Sequence, residues 1–153
     1  MQISLTINNT PYTIEVAPNA VLVDVIREQL QLTGTHVGCD TSQCGACVVD
    51  VDGDSRKSCA MLAVQAAGCT IRTIEGVANP DGTLSPMQQA FHDHHALQCG
   101  FCTPGMVIAA EDLLRKHPAP SEATIRTWLE GNICRCTGYQ NIVAAIHAVA
   151  HST

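Results

Sequence analysis

Cysteines constrain the possible folds of this 153-residue chain more than any other feature. The chain has nine of them, and eight form two groups that are far apart in the sequence. Members of the first group are separated by four residues, then two, then eleven, whereas the second group consists of two close pairs. The first group is Cys39, Cys44, Cys47 and Cys59, and the second group is Cys99, Cys102, Cys134 and Cys136. Each group supplies four thiolates, enough to hold a metal centre if the fold brings them together.

The spacing of the first group is typical of the plant-type pattern that holds a [2Fe–2S] cluster. Its first three cysteines lie in residues 35–47, a polar stretch in which Gly38 and Gly45 flank the thiols and allow close backbone approach. The cysteines could instead be buried free thiols, but burial alone does not explain this spacing in a polar loop. Zinc is the alternative, but zinc sites usually use repeated Cys-x-x-Cys pairs, and a gap of four fits that pattern less well.

The second group precedes two predicted helix starts. Cys99 and Cys102 come before a helix expected from Thr103, and the other pair comes before a helix expected after Gly138. Helix N-termini carry free amides and positive partial charge, which favour the negative charge gained on one-electron reduction. A zinc–thiolate site would also suit this position. The Cys-x-Cys spacing of the second pair, however, is uncommon in zinc ribbons and favours a second iron–sulfur cluster.

Charge and composition exclude several classes of function. The net charge is −6, aromatic residues make up 3% of the chain, and no basic stripe is present, which argues against a nucleic-acid partner. No apolar run is long enough for a membrane span, and the N-terminus lacks the pattern of a secretory signal. We therefore expect a cytoplasmic protein, in which metal ligation explains the cysteines better than disulfides do.

The first half of the chain has the pattern of a small sheet with one helix. Residues 3–7 and 12–16 alternate between apolar and polar side chains around a turn sequence, which predicts a β-hairpin. Helical spacing follows over residues 22–30, and Gly34 is expected to end that helix in a left-handed conformation. Further strands are predicted at 47–51 and 69–74. This order predicts a β-grasp, plant-type ferredoxin-like domain over residues 1–76.

The second half is predicted to be all helical. Residues 77–84 have the composition of a linker, and residues 85–153 carry four helix-start signals. Four short helices would form a compact four-helix bundle, so the whole chain is assigned to the α+β class. The helices are predicted to begin at Ser85, Thr103, Ser121 and Gly138.

Other residues with chemically active side chains are given structural roles. Cys69 belongs to neither group and is expected to be a small apolar residue in a strand. The Glu111-Asp112 pair is expected to be a solvated acidic face. Phe101 is expected to shield the second cluster or to fill the core.

Three segments, residues 38–47, 98–105 and 132–139, resemble the iron–sulfur subunit of the molybdenum hydroxylases, the xanthine oxidase family in its multi-subunit form. The similarity extends over nearly the whole chain. Within this family, Thr41-Ser42 and residues 138–141 are most similar to the small subunit of aerobic carbon monoxide dehydrogenases. Asp40 to Gln43 replace the glycine-rich loop common in xanthine dehydrogenases, so hydrogen bonding around the first cluster is expected to differ.

The resemblance implies a non-catalytic, electron-transfer subunit of an oxidoreductase with two [2Fe–2S] clusters. Its partners would be a large molybdopterin-binding subunit and a medium FAD-binding subunit, in a hetero-oligomer such as a dimer of heterotrimers. Gln98 would hydrogen-bond the pterin, and Cys136 would be the ligand nearest to it. The first cluster would pass electrons to FAD or another acceptor.

Two other functions stay open from the sequence: a zinc-stabilised interaction module and a free-standing two-cluster ferredoxin. The substrate of the complex is also open, because members of the family oxidise carbon monoxide, aldehydes or N-heteroaromatic compounds with a similar arrangement of redox centres.

Overall fold

A computed structural model describes residues 1–152, and Thr153, the last residue of the predicted helical domain, lies outside the described residues. A sheet dominates the first half of the chain, and helices of seven to fourteen residues make up the second half. The α+β class expected from the sequence is confirmed. Within residues 1–152, no helix is long and apolar enough to cross a membrane.

Five short strands form one mixed sheet. They are β1 (Gln2–Ile7), β2 (Thr10–Glu15), β3 (Val48–Val51), β4 (Asp54–Lys57) and β5 (Thr70–Arg72). Their order across the sheet is β2-β1-β5-β3-β4, with β1 and β5 parallel and the other neighbouring strands antiparallel. Apolar side chains of β1 alternate inward, and the predicted hairpin turns at Asn8 and Asn9, both with positive φ. This is the predicted β-grasp arrangement.

The helix that crosses the sheet differs from the prediction. It begins as α1 (Leu22–Asp24) and continues as one π-helical turn over Val25–Gln29. The wider turn ends the helix early, so Gln31, with φ 58°, takes the left-handed conformation that was expected of Gly34. Gly34 is needed for a different reason: a Cβ there would lie 2.5 Å from the Ile74 side chain.

Two predicted strands are shorter than expected, and this affects the cysteines near them. β3 starts after Cys47, and β5 starts after Cys69, so neither cysteine is within a strand. Cys59 lies in Ser58–Ala60, a single 3₁₀ turn directly after β4. The first cysteine group is therefore carried by loops and turns at one end of the sheet, and β3 and β4 position them.

Four helices follow in the second half: α2 (Pro86–Asp93), α3 (Thr103–Lys116), α4 (Glu122–Trp128) and α5 (Tyr139–Ala150). Ser85 caps α2 through a complete capping box with Gln88, and Ser121 caps α4, as predicted. The predicted cap at Thr103 is wrong, because Cys102 is the N-cap of α3. The buried Thr103 hydroxyl has no hydrogen-bond partner within residues 1–152.

α3 packs against β3 and joins the two halves of the chain. Val48 of β3 belongs to the apolar core of the helical half, although its neighbour Val49 belongs to the core of the sheet. Asp112 of α3 is only 1% exposed and accepts hydrogen bonds from the backbone and hydroxyl of Ser55 at 3.0 and 2.6 Å. The expectation of a solvated acidic face is therefore wrong for Asp112, because β4 covers it.

Candidate metal centres

The first cysteine group comes together at the end of the sheet. Cys39 contacts Cys44, Cys47 contacts Cys59, and Cys47 also lies near Cys44. Three members come from the loop before β3, and the fourth comes from the turn after β4. The antiparallel pairing of β3 with β4 brings Cys59 beside Cys47, and the loop itself brings Cys39 beside Cys44, so the four thiols lie in two adjacent pairs. Each iron of a [2Fe–2S] core takes two cysteine ligands, which matches this arrangement.

Two thiols of the first group, those of Cys39 and Cys47, have pKa values shifted in opposite directions. Hydrogen bonds from the backbone N–H of Cys44, and then from those of Thr41 and Gln43, lower the pKa of the Cys39 thiol to about 6. Burial raises the pKa of the Cys47 thiol to about 11, and the adjacent Cys59 thiol adds to the rise. Four thiolates at this site therefore need a positively charged core, since a metal ion holds its thiol ligands deprotonated.

The second group comes together where two helices begin. Cys99 contacts Cys136, Cys102 contacts Cys134, and Cys99 also lies near Cys102. Cys102 is the N-cap of α3, and the backbone N–H of Gly138, the N-cap of α5, donates to Cys134 Sγ at 3.3 Å. The two predicted helix starts are thus confirmed to meet at one set of thiols, again in two pairs.

In the second group, as in the first, the pKa of one thiol is lowered and that of another is raised. The backbone N–H of Phe101 lowers the pKa of Cys99, and the Cys136 thiol contributes further. Burial raises the pKa of Cys102 to about 12, with a further rise from Cys134. This group also fits a positively charged core that accepts electrons beside two helix N-termini.

Tyr139 supports the second group and was not singled out from the sequence. Its hydroxyl accepts a hydrogen bond from the backbone N–H of Cys134 at 2.8 Å and donates to the Asn132 carbonyl at 3.1 Å. Its position directly after Gly138, in the third motif, was the only available signal. The tyrosine holds the loop of the second cysteine pair against the first turn of α5.

A backbone hydrogen bond connects the loops that carry the two cysteine groups. The carbonyl of Cys44 accepts from the backbone N–H of Ile133 at 2.8 Å, and Ile133 directly precedes Cys134. Beside this bond, the Asn132 side chain donates to the carbonyl of Gly45 at 3.2 Å. A Cβ at Gly45 would collide with the carbonyl of Gly131, so only glycine allows this close approach. Covalent bonds and a single hydrogen bond thus join a thiol of one group to a thiol of the other.

The remaining predicted site residue, Gln98, lies at the outer surface of the second group. Its side chain is exposed, and Nε2 donates to the carbonyl of Cys136 at 3.0 Å. The structure therefore brings together the two residues that were expected to face the pterin. Phe101 is 46% exposed and stacks on His36 with ring centroids 4.6 Å apart, so the expectation that it fills the core is wrong.

The remaining cysteine and the other ligand-type residues add no further site. Cys69 lies beside Asp52, outside both groups, as expected. In the described part of the chain, no three His, Cys, Asp or Glu side chains converge tightly enough to hold a single metal ion. The site chemistry therefore rests on the paired thiols.

Comparison with known families accounts for both groups. A profile described as "2Fe-2S iron-sulfur cluster binding domain" matches residues 5–73, and one described as "[2Fe-2S] binding domain" matches residues 73–147. The caffeine dehydrogenase subunit gamma of Pseudomonas sp. (strain CBB1) is 49% identical over 99% of this chain and 92% of its own length. This chain belongs to the iron–sulfur small subunits of the molybdenum hydroxylases. It carries two [2Fe–2S] domains and serves electron transfer beside a larger partner subunit.

Two further comparisons agree with this family over nearly the whole chain. The nicotine 6-hydroxylase small subunit of Paenarthrobacter nicotinovorans is 44% identical over 95% of this chain and 87% of its own length. The crystal structure of quinoline 2-oxidoreductase from Pseudomonas putida 86 matches with a TM-score of 0.94 and 47% identity, covering 99% of this chain and 94% of that chain. These matches favour the subunit over the zinc module and the free-standing ferredoxin.

Proposed function

We propose that this chain relays single electrons through two [2Fe–2S] clusters, one in each domain. The domains would extend over residues 1–76 and 85–153, joined by the linker 77–84. The ligands of the first cluster would be Cys39, Cys44, Cys47 and Cys59, and those of the second would be Cys99, Cys102, Cys134 and Cys136. The observation that carries the proposal is the direct junction of the two groups at Cys44 and Ile133.

The donor sets fit such clusters in number, pairing and charge. Each bound cluster would accept and release one electron without making or breaking a substrate bond. The protein's own part is to orient amide N–H groups towards thiols, as Gly138 does towards Cys134, and to exclude bulky side chains from the junction at Gly45. No residue of this chain is assigned to catalysis.

The second group would face the molybdopterin of the large subunit. Gln98 and Cys136 support this direction because the side chain of the exposed glutamine is hydrogen-bonded to the Cys136 carbonyl, whereas the contact with the first group is made by Ile133, next to Cys134. An exposed amide beside a thiol ligand can hydrogen-bond a cofactor on another chain. Electrons would then enter at the second group and leave from the first.

The rest of the complex is inferred from the family. We propose a medium subunit with FAD as acceptor from the first cluster, in a hetero-oligomer such as a dimer of heterotrimers. The cytoplasm is the proposed location, since no disulfide forms within residues 1–152 and a reducing compartment keeps thiols available for metal ligation.

The class of substrate can be narrowed by the names of the relatives. Caffeine, nicotine and quinoline are all nitrogen heteroaromatics, and these relatives are named for them. We therefore propose an N-heteroaromatic substrate for the complex. None of these three relatives is a carbon monoxide dehydrogenase, so the similarity to that enzyme's small subunit stays an expectation from the sequence.

Replacing one ligand in the purified complex tests the relay. Cys134→Ser should remove one of two EPR signals, leave the other, and stop reduction of the remaining cluster by the substrate, because electrons would enter at the second group. Cys69→Ser is the matched control, since Cys69 lies outside both groups and should leave both signals. Iron and sulfide should each be near four per chain in the unchanged protein. Loss of both signals in Cys134→Ser would contradict separate ligand sets.

A further inference from the structure

A lysine outside the family motifs is bonded to the loop of the first cysteine group. Lys57 is the last residue of β4, and its Nζ donates to the carbonyls of Ser42 and Gln43 at 3.0 and 3.1 Å. It takes part in none of the ion pairs formed within residues 1–152. The ammonium charge at this loop is therefore not neutralised by a neighbouring carboxylate.

The two carbonyls that Lys57 binds belong to peptide groups whose other ends face Cys39. A peptide group joins one residue's carbonyl to the next residue's N–H, so these two groups carry the N–H of Gln43 and the N–H of Cys44. The N–H of Cys44 donates to Cys39 Sγ at 3.4 Å, and the N–H of Gln43 makes a smaller contribution to the lowered pKa of that thiol. The same two peptide dipoles thus have an ammonium at their oxygen end and a thiol at their nitrogen end.

The backbone of this loop needs such support. Ser42 has φ 57°, in the left-handed region that a serine seldom adopts. Without a partner for the Ser42 and Gln43 carbonyls, rotation of these peptide groups would turn the N–H groups away from Cys39. Lys57 can prevent this because the pairing of β3 with β4 fixes its position.

We propose that Lys57 is a positioning residue that raises the reduction potential of the first cluster. This inference rests on the proposed ligand role of Cys39. One-electron reduction adds one negative charge at the site. Two amides held towards the sulfur and an unpaired cation behind them stabilise that added charge. The lysine needs no contact with the sulfur, since its effect passes through the two peptide groups.

EPR-monitored redox titration of the iron-loaded protein, with dithionite as the reductant, tests this role. Lys57→Met should lower the equilibrium constant for reduction of the first cluster about tenfold, a shift of about 59 mV for one electron. The second cluster is the internal reference and should not shift. Lys57→Arg keeps the charge and the donors, and should restore most of the potential.

Arg56→Met is the matched control. Arg56 neighbours Lys57 on β4, but its side chain is exposed, points to the opposite face and pairs with Asp54. Its loss removes the same charge without touching the loop carbonyls, so neither potential should change. If Lys57→Met fails to hold the first cluster, Lys57→Gln is used instead, because it keeps a hydrogen-bond donor but no charge. It should lower the reduction potential of the first cluster by a smaller amount.

The outcomes separate this inference from the proposed function. The role of Lys57 would be overturned if the reduction potential of the first cluster were unchanged in Lys57→Met or Lys57→Gln, or if Arg56→Met shifted it equally. The proposal of two clusters would not be affected by either result. Absence of one EPR signal from the unchanged protein would instead overturn the proposed ligand sets.

Discussion

At the scale of single residues, Gln98 and Tyr139 make opposite uses of hydrogen bonds beside the second cysteine group. Gln98 is exposed, and its side chain donates to the backbone carbonyl of Cys136, a member of the group. Tyr139 is partly buried, and its hydroxyl serves both the Cys134 N–H and the Asn132 carbonyl. The exposure of the glutamine is what the proposed contact with a partner's pterin requires, and the tyrosine holds the loop.

These two positions give a matched pair of variants. Gln98→Ala should leave both EPR signals and the stability almost unchanged, yet slow reduction of the second cluster by substrate in the complex. Tyr139→Phe should lower the free energy of unfolding by about 1–3 kcal/mol, because it leaves the partly buried N–H of Cys134 without an acceptor. It should alter only the EPR signal of the second cluster. Stopped-flow reduction and EPR of both variants check this. Loss of the second cluster in Gln98→Ala would contradict the pterin role.

The two cysteine groups could be predicted from sequence because the spacing within each reflects short local segments. These are a loop and a turn for the first group, and the starts of two helices for the second. Lys57 and Ile133 could not be predicted, because their partners are backbone carbonyls, which every residue type provides. The hydrogen bond from the Ile133 N–H to the Cys44 carbonyl does not depend on the side chain of either residue, so no residue type in the sequence indicates it. Such contacts become visible only once the tertiary arrangement is known.

At the scale of secondary-structure elements, α3 depends on one buried carboxylate. Asp112 binds Ser55 of β4, and it also pairs with Arg115 and Lys116 one turn later at 3.3 and 3.0 Å. Burial alone would raise the pKa of Asp112, but hydrogen bonds from Ser55 and Lys116 hold it below its ordinary value. The carboxylate therefore stays ionised and attaches the helix to the edge of the sheet.

Removing this charge should destabilise the contact between α3 and β4. Asp112→Asn is expected to cost about 2 kcal/mol, which lowers the thermal midpoint by about 4–8 °C for a chain of this size. Asp54→Asn is the matched control: Asp54 also pairs with Lys116, at 2.8 Å, but it is exposed and its loss should change the midpoint little. Circular dichroism under anaerobic conditions measures both midpoints.

The pH dependence of stability provides a second test of Asp112→Asn. Because folding lowers the pKa of Asp112, its stabilisation is complete above the ordinary carboxyl value of about 3.9 and is lost only as pH falls through the lower folded value. The deficit of Asp112→Asn should therefore be equal at pH 7 and pH 5. A deficit that grows at pH 5 would mean that burial dominates and raises the pKa of Asp112, because the native state would then bind a proton there and gain stability.

Elements were predicted well where a local signal marks them, and poorly where packing decides. The capping box at Ser85 and the cap at Ser121 are local signals, and both helices begin there. The π-helical turn at Val25–Gln29 and the use of Cys102 as the cap of α3 have no such signal. Both are set by the sheet and by the second cysteine group.

At the scale of the whole molecule, exposed apolar side chains gather around the cysteines. Four large ones each lie within two residues of a proposed ligand, and two of them flank Gln98 on the same segment. They are Val37, Leu97, Phe101 and Ile133. A surface that exposes apolar side chains beside partly exposed thiols is best explained by a partner that covers it. The family's larger partner subunit is the expected cover.

Single substitutions can test whether this surface binds the large subunit. Leu97→Ser should weaken the complex about tenfold, because a leucine buried in an interface contributes through the apolar area removed from water. Leu84→Ser is the matched control, since Leu84 is 44% exposed, nearly the same as the 45% of Leu97, but lies far in sequence from every cysteine of either group. Both variants should keep the full iron content. Titration of the purified small subunit against the large subunit gives the two dissociation constants. Equal weakening by both substitutions would show that apolar exposure alone, and not its place beside the second cluster, governs assembly.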